Sequence, residues 1–187
     1  MKRISAVIYI ILALSIGGCV SPDNKSSSQK RQSILVMKNK TLSDLYKLKP
    51  DVRSQISRAP GYAVFSNVNI NIILASFGGG YGVVKNNRTG KYTYMKMGEV
   101  GLGFGAGVKD FRVVFVFHNT STMKRFIDHG WAFGAQADAA AKASDKGAAF
   151  GGELTVDNIT IYQLTESGLA LQVTVKGTKY WKDNSLN

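Results

Sequence analysis

The chain has 187 residues, with 24 basic against 12 acidic side chains and a formal charge of +12 at pH 7. This length suits one domain, and 44% hydrophobic residues with only three prolines exclude a disordered or collagen-like chain. The single cysteine excludes an internal disulfide and any multi-cysteine metal site. We therefore expect a globular domain that is held together by its hydrophobic core.

The first residues have the organisation of a bacterial export signal. Lys2 and Arg3 precede an apolar run at 4–16, which is too short to cross a bilayer core of about 30 Å as a helix. Gly17-Gly18-Cys19 follows and resembles a lipobox, whose cysteine becomes the acylated first residue of the mature protein. We expect residues 1–18 to be a lipoprotein signal peptide and Cys19 to be the site of lipid attachment.

The signal also predicts a location. Each buried methylene contributes about 0.8 kcal/mol, so the acyl chains on one residue hold a protein at a membrane. Val20, rather than an aspartate, follows the cysteine, and in the enterobacterial sorting pattern this favours the outer membrane. The expected location is the bacterial envelope, with a lipid anchor in the outer membrane and a domain facing the periplasm. A strongly basic chain suggests nucleic acid as a partner. Export makes this partner unexpected, because an exported protein does not ordinarily meet nucleic acid.

Residues 19–33 are polar and rich in serine, which predicts a tether, and residues 34–187 form the domain. Thr41-Leu42-Ser43-Asp44 resembles a capping box that opens a short helix after a break near Asn39. Pro50 suits the first turn of a second helix, which stops at Pro60-Gly61.

The rest of the sequence is predicted to form mostly β structure. Strands rich in branched and aromatic residues are predicted at 62–68, 70–77, 91–97 and 113–117, the last of them central because it is apolar on both faces. A helix carrying Met123, Phe126 and Ile127 ends at Gly130, and a hairpin pairs 159–164 with 169–175. Strands without regular helical crossovers predict an α+β fold: a single domain with a curved antiparallel sheet, barrel-like or sandwich-like, N-terminal helices and one internal helix.

Two small-residue segments stand out. Gly101, Gly103, Gly105 and Gly107 alternate with larger residues, so one face of a strand there carries no side chains. That face suits either close packing in a curved sheet or contact with lipid. The alanine-rich segment 132–152 suits a helix, a flexible excursion or insertion into lipid. The stretch Gly78-Gly79-Gly80-Tyr81-Gly82 predicts a bulge or a turn.

The sequence offers no catalytic residue, metal site or cofactor site. His118 and His129 have no metal-ligand spacing, and structural roles suit both. Glu99, Glu153 and Glu166 are too scattered to be paired from the sequence, and no serine-nucleophile motif is present. A binding protein is therefore favoured over an enzyme.

Positive charge is concentrated near the proposed anchor. Residues 25–58 contain nine basic and two acidic side chains, a local net charge of +7. Each basic residue close to an anionic membrane contributes about 1 kcal/mol. A merely solvated helical face is the alternative interpretation. The candidate headgroup-binding residues are Lys38, Lys40, Lys47, Lys49, Arg53 and Arg58.

From about Thr41 onward the chain resembles the SYLF domain family, which binds lipid in fungal and animal actin-patch proteins and also occurs in bacterial lipoproteins. The segments that carry the resemblance follow one another in a fixed order: 42–46 with Pro50, 58–65, 78–82, 100–107 leading into 113–117, Phe126 with 130–131 and 134–135, and Gly168-Leu169 with Gly177.

The resemblance implies phospholipid binding by a basic N-terminal segment, where Lys47, Lys49, Arg53 and Arg58 have the required chemistry. For an exported protein, anionic phospholipid or lipopolysaccharide replaces phosphoinositide and actin. The leading hypothesis is a non-catalytic lipoprotein that binds anionic headgroups. The alternative is an envelope scaffold or stress lipoprotein that binds an unidentified protein or peptidoglycan through the glycine face or the alanine-rich segment. A hydrolase or a small-ligand carrier is the third hypothesis.

Overall fold

The computed structural model describes residues 25–72, 75–101, 107–133, 153–165, 168–169 and 176–187. These ranges contain three helices: α1 (Ser27–Leu48), α2 (Val52–Arg58) and α3 (Thr120–His129). They also contain nine strands: β1 (Gly61–Ile72), β2 (Ala75–Asn86), β3 (Tyr92–Gly101), β4 (Gly107–Phe117), β5 (Trp131–Phe133), β6 (Glu153–Val156), β7 (Ile159–Thr165), β8 (Gly168–Leu169) and β9 (Lys176–Lys182).

Helix α1 begins earlier than the sequence predicted. Ser26 Oγ accepts a hydrogen bond from the Gln29 N–H, and the Gln29 side chain accepts one from the Ser26 N–H. The capping box therefore lies at Ser26, not at Thr41, and residues 27–33 are helical, which corrects the predicted tether at 19–33. The predicted break near Asn39 was also wrong, because a lysine can lie on an apolar stripe when its ammonium reaches a suitable partner.

The remaining helices agree with the sequence. Helix α2 carries the buried Val52 and Ile56 and ends before Pro60. Asn87 holds this end of α2, since its side-chain amide donates to the carbonyls of Ile56 and Ala59 at 2.7 and 2.9 Å. Helix α3 ends at Gly130, whose φ of 73° lies in the left-handed region that favours glycine.

All strand pairs are antiparallel, in the order β5-β9-β3-β2-β1-β4-β7-β6, and β8 pairs with β7. The sheet curls into an open half-barrel, so the predicted α+β class is confirmed, as is the central position of β4 between β1 and β7. The predicted division between strands 62–68 and 70–77 was wrong, because Asn69 pairs with Gly78 on one side and Lys109 on the other. The ladder therefore continues through a polar residue.

Each face of the sheet is covered by helices. The α3 face carries the buried residues Ala63, Phe65, Met95, Met97, Val113, Phe115 and Phe117, which pack with Met123 and Phe126 of α3. The α1 face carries Tyr62, Val64, Val114, Val116, Tyr162 and Leu164, which pack with Leu42 and Leu45 of α1 and Val52 and Ile56 of α2. A smaller cluster joins Ile34 of α1 to Val83, Tyr94 and Leu186. All of these core contacts lie within residues 25–187.

The glycines of 78–82 belong to β2, which corrects the predicted bulge or turn. A Cβ added at Gly80 would lie 2.9 Å from Met97 Cγ, and one at Gly82 would collide with the Phe65 ring. These glycines allow large side chains of the neighbouring strands to pack against bare backbone on the α3 face. Alternate glycines thus serve the core here without interrupting the strand.

Candidate functional site

Helix α1 presents opposite stripes to the sheet and to solvent. Ile34, Lys38, Thr41, Leu42 and Leu45 are buried against the α1 face. The outward stripe carries Val36, Lys40, Ser43 and Lys47, which are exposed. Because residues three and four apart lie on the same side of a helix, Lys40 and Lys47 project from one surface.

Four of the six predicted headgroup-binding residues are exposed. They are Lys40 and Lys47 on α1 and Arg53 and Arg58 on α2, and together they are called the basic surface below.

The other two predicted residues lie in the helix–sheet contact. Lys38 is only 7% exposed, and its ammonium lies 5.1 Å from the centroid of the Tyr92 ring and 3.3 Å from the Tyr92 hydroxyl. The Lys49 ammonium lies 3.8 Å from the Asp51 carboxylate and 5.9 Å from the centroid of the Tyr162 ring. These contacts hold α1 and the start of α2 on the sheet.

One carboxylate organises the α1 part of the basic surface. Asp44 lies 3.2 Å from the Lys40 ammonium, 4.0 Å from that of Lys47 and 3.4 Å from the Arg112 guanidinium. Three cations share one anion, so this group keeps a net charge of +2. Exposed ion pairs of this kind contribute little to stability. Their effect here is to hold several cations close together.

Arg53 links α2 to α1 through an aromatic ring. Its guanidinium lies 4.7 Å from the centroid of the Tyr46 ring. Burial raises the pKa of the Tyr46 hydroxyl, and the positive charge of Arg53 opposes that rise. Arg58 donates hydrogen bonds to the carbonyl and the hydroxyl of Ser54 at 3.3 and 3.2 Å. The two arginines therefore have defined positions while their charged groups face solvent.

Arg112 was not among the predicted residues. It lies on β4, 68 positions from Asp44 in the sequence, and the pairing of β4 with β1 brings it under α1. No local pattern marks this residue, because its position depends on strand order. The same holds for Lys85, whose ammonium lies 5.8 Å from the Tyr92 ring that Lys38 also contacts.

The predicted glycine face is only partly described. Gly101 is the last residue of β3 and pairs with Ser76 and Lys176, whereas Gly107 is the first residue of β4 and pairs with Asn71. Gly103 and Gly105 lie outside the described residues, as do Cys19 and most of the alanine-rich segment. The first residues of that segment belong to β5.

A polar pair lies inside the α3 face. Asn67 Nδ2 donates to Glu99 Oε2 at 2.9 Å, and both side chains are buried. Asn67 Oδ1 has no hydrogen-bond partner among the described residues. Burial, and secondarily the Glu99 charge, raise the pKa of the Tyr180 hydroxyl, so this tyrosine stays neutral. No local sequence pattern indicates this pair, since the two residues meet only across strands β1, β2 and β3.

The histidines lie apart from this pair. His118 Nε2 is 2.7 Å from Thr160 Oγ1, and His129 is the exposed last residue of α3. Within the described ranges, no three His, Cys, Asp or Glu side chains are grouped to hold a metal ion. In the same ranges, no helix combines the length and apolar character that a membrane span requires.

Comparison with known proteins adds two findings. A family model described as Ysc84, a Las17-binding protein actin regulator, matches residues 98–187. Beta cell expansion factor A of Aeromonas veronii is 33% identical to this chain over 165 residues, which is 87% of this chain and 60% of the relative. The chain therefore spans about 60% of the length of that relative.

Proposed function

The chain belongs to the SYLF domain family, a family of lipid-binding domains, and we propose that it binds the anionic headgroups of a bacterial membrane through the basic surface. The observation that carries this proposal is the exposure of Lys40, Lys47, Arg53 and Arg58 on two adjacent helices. The proposed activity is binding without turnover.

The geometry supports contact with a broad anionic surface. The four side chains project from helices, and Asp44 is the one acidic group within 4.0 Å of Lys40 and Lys47 among the described residues. Leu48, at the end of α1, and Val36 are exposed beside these cations. Apolar side chains next to basic ones are typical of helices that lie at a bilayer surface. At about 1 kcal/mol per cation, four contacts give a binding free energy of roughly 4 kcal/mol.

A lipid anchor at Cys19 would supplement this affinity. We propose that the chain is acylated there and held at the outer membrane, with the domain in the periplasm. Weak individual contacts then suffice, since an anchor keeps the domain at a high local concentration near the bilayer. Phospholipid and lipopolysaccharide both present phosphate groups to such a surface. Mass spectrometry of the membrane-extracted protein tests the anchor, because an unmodified Cys19 in the mature protein would contradict it.

Co-sedimentation with vesicles tests the headgroup contact. The chain from Lys25 onward retains the α1 cap and every described core contact, so it measures the affinity of the domain without an anchor. Replacing Lys47→Glu and Arg53→Glu together should lower partitioning onto anionic vesicles by at least roughly tenfold. Lipopolysaccharide-containing vesicles form a second arm that separates the two headgroup sources.

The matched control reverses two exposed cations elsewhere, Lys124→Glu on α3 and Lys182→Glu on β9, and changes the net charge by the same amount. Equal loss in both double variants would show a response to net charge alone. Equal binding of the wild type to neutral and anionic vesicles would contradict the proposal. Screening should weaken the specific contact as ionic strength rises.

A further inference from the structure

A second exposed feature lies on the α1 face, beside the helices. Strand pairing aligns Trp181 of β9, Lys96 of β3, Tyr81 of β2, Ser66 of β1 and Arg112 of β4 in one row across the sheet. Directly paired residues point to the same side of a sheet, so this row shares the α1 face. Tyr81 and Trp181 are 46% and 39% exposed, although both are large aromatic residues. We call Tyr81, Lys96 and Trp181 the aromatic row.

Two glycines lie next to this row on the same face of β2 and β3. Gly79 and Gly98 pair with each other, and a Cβ on Gly98 would lie 3.1 Å from the edge of the Trp181 ring. A Cβ on Gly79 would meet no atom within 4 Å. The Trp181 ring therefore lies over Gly98, and the adjoining position at Gly79 is open.

Basic side chains lie at both ends of this row. Lys179 pairs with Gly98 and is exposed, and the Lys96 ammonium lies 3.4 Å from the Asp183 carboxylate. At the other end of the row, Arg112 contacts Asp44, which also contacts Lys40 and Lys47. Ion pairs through Asp44 and Arg112 therefore link this end of the row to the exposed cations of α1.

Tryptophan and tyrosine combine an apolar ring with a polar edge, and both concentrate at the boundary between lipid headgroups and hydrocarbon. Lysine can place its stem at the same depth while its ammonium stays among the headgroups. An anionic bilayer therefore matches both the rings and the charge of this surface.

We propose that Tyr81 and Trp181 are a second membrane contact, and that they enter the headgroup region of the anionic bilayer that the basic surface binds. The inference rests on the proposed function for the identity of this bilayer. It adds an orientation, in which the α1 face of the sheet is turned toward the membrane and the α3 face is turned away.

The chain supplies its own reporter, because it has two tryptophans, and Trp131 is buried on the α3 face while Trp181 is exposed. The full chain is reconstituted into anionic vesicles that contain lipids brominated near the headgroup, and tryptophan fluorescence is compared with that in unbrominated vesicles. The emission attributable to Trp181, obtained as the difference between the wild type and Trp181→Phe, should be largely lost. The emission of Trp181→Phe, which retains Trp131, should change little.

Substitution at Gly79 tests the contact without disturbing the rings. Since the position is open, Gly79→Glu and Gly79→Lys should both fold, which circular dichroism checks. Gly79→Glu should reduce the quenching of Trp181 severalfold, because it places a carboxylate against an anionic surface, whereas Gly79→Lys should preserve or increase it. Equal quenching in the two variants would contradict a contact at this surface.

The two proposals fail in different ways. If Lys47→Glu with Arg53→Glu abolishes vesicle binding of the domain while bromine leaves Trp181 unquenched in the wild type, the basic surface stands and the aromatic contact is wrong. If Trp181 is quenched equally in neutral and anionic vesicles, the aromatic row contacts lipid but the preference for anionic headgroups is wrong.

Discussion

The two faces of the sheet differ in what their aromatic residues do. On the α3 face, Phe115 lies 5.1 to 5.9 Å from the ring centroids of Phe65, Phe126, Trp131 and Tyr180, and all five rings are buried. On the α1 face, three tyrosine rings instead lie under cations: Tyr46 under Arg53, Tyr92 under Lys38 and Lys85, and Tyr162 near Lys49.

The two arrangements of aromatic rings have different physical consequences. Rings that pack only against one another remove apolar area from water and fix the fold. Rings that pack under cations hold charged side chains in place, at the surface for Arg53 and in the helix–sheet contact for Lys38 and Lys49. Such contacts contribute about 0.5–1 kcal/mol each when exposed. The aromatic rings of the α3 face therefore serve the core, whereas several rings on the α1 side position cations, to which the proposed function assigns membrane binding.

The largest effect should come from the α3 face. Phe115→Ala removes the ring at the centre of the aromatic cluster and should lower the free energy of unfolding by about 3–5 kcal/mol. Denaturant unfolding measures this loss. The folded fraction should bind anionic vesicles as the wild type does, because the basic surface lies on the opposite face. A lower vesicle affinity of the folded fraction would break the proposed separation of the two faces.

Gly79 and Gly80 of β2 give a sharper test of the difference between the two faces, because they lie on opposite faces of the sheet. At Gly80 a Cβ would collide with the Ser66 carbonyl and lie 2.9 Å from Met97 Cγ, whereas at Gly79 it would meet nothing. Gly80→Ala should therefore lower the free energy of unfolding by about 1–3 kcal/mol. Gly79→Ala should leave it unchanged or raise it, since glycine weakens a strand. Similar losses at both positions would show that the α1 face is as tightly packed here as the α3 face.

Sequence patterns predicted the fold class, the central strand β4, helices α2 and α3 and the glycine at the end of α3. Each of these depends on local chemistry: a run of apolar residues, a stripe, a proline or a position with positive φ. The family resemblance was confirmed as well. The start of α1 was missed because Lys38 interrupts its apolar stripe, and only Tyr92, 54 positions away, explains why that lysine is tolerated.

Four of the six candidate cations lie on an exposed helical surface, and headgroup binding by all six stays a prediction. The contacts that no sequence pattern indicated are made with distant strands. Lys38 and Lys49 lie against aromatic rings of β3 and β7, and Arg112 joins Asp44 through the pairing of β4 with β1. The aromatic row was missed for the same reason, since Tyr81 and Trp181 are 100 residues apart and meet through strand register.

The smallest effect should come from the charges at the edge of the α1 face. Burial acts to raise the pKa of the Asp183 carboxyl, but hydrogen bonds from Ser185 and the nearby Lys96 ammonium outweigh it, so the pKa is lowered overall. A carboxyl whose pKa is lower in the folded protein adds stability above its unfolded pKa of about 3.9, and this contribution disappears as the pH falls through the folded value.

Asp183→Asn should therefore unfold slightly more easily at neutral pH and show a flatter loss of stability below about pH 4 than the wild type. Thermal unfolding between pH 7 and pH 2 measures both effects, and Asp128→Asn on α3, an exposed carboxylate, is the matched control. If the two variants follow the same acid profile, Asp183 contributes nothing beyond an ordinary surface carboxylate. The stabilising effect assigned here to the Ser185 hydrogen bonds and the Lys96 ion pair would then be wrong.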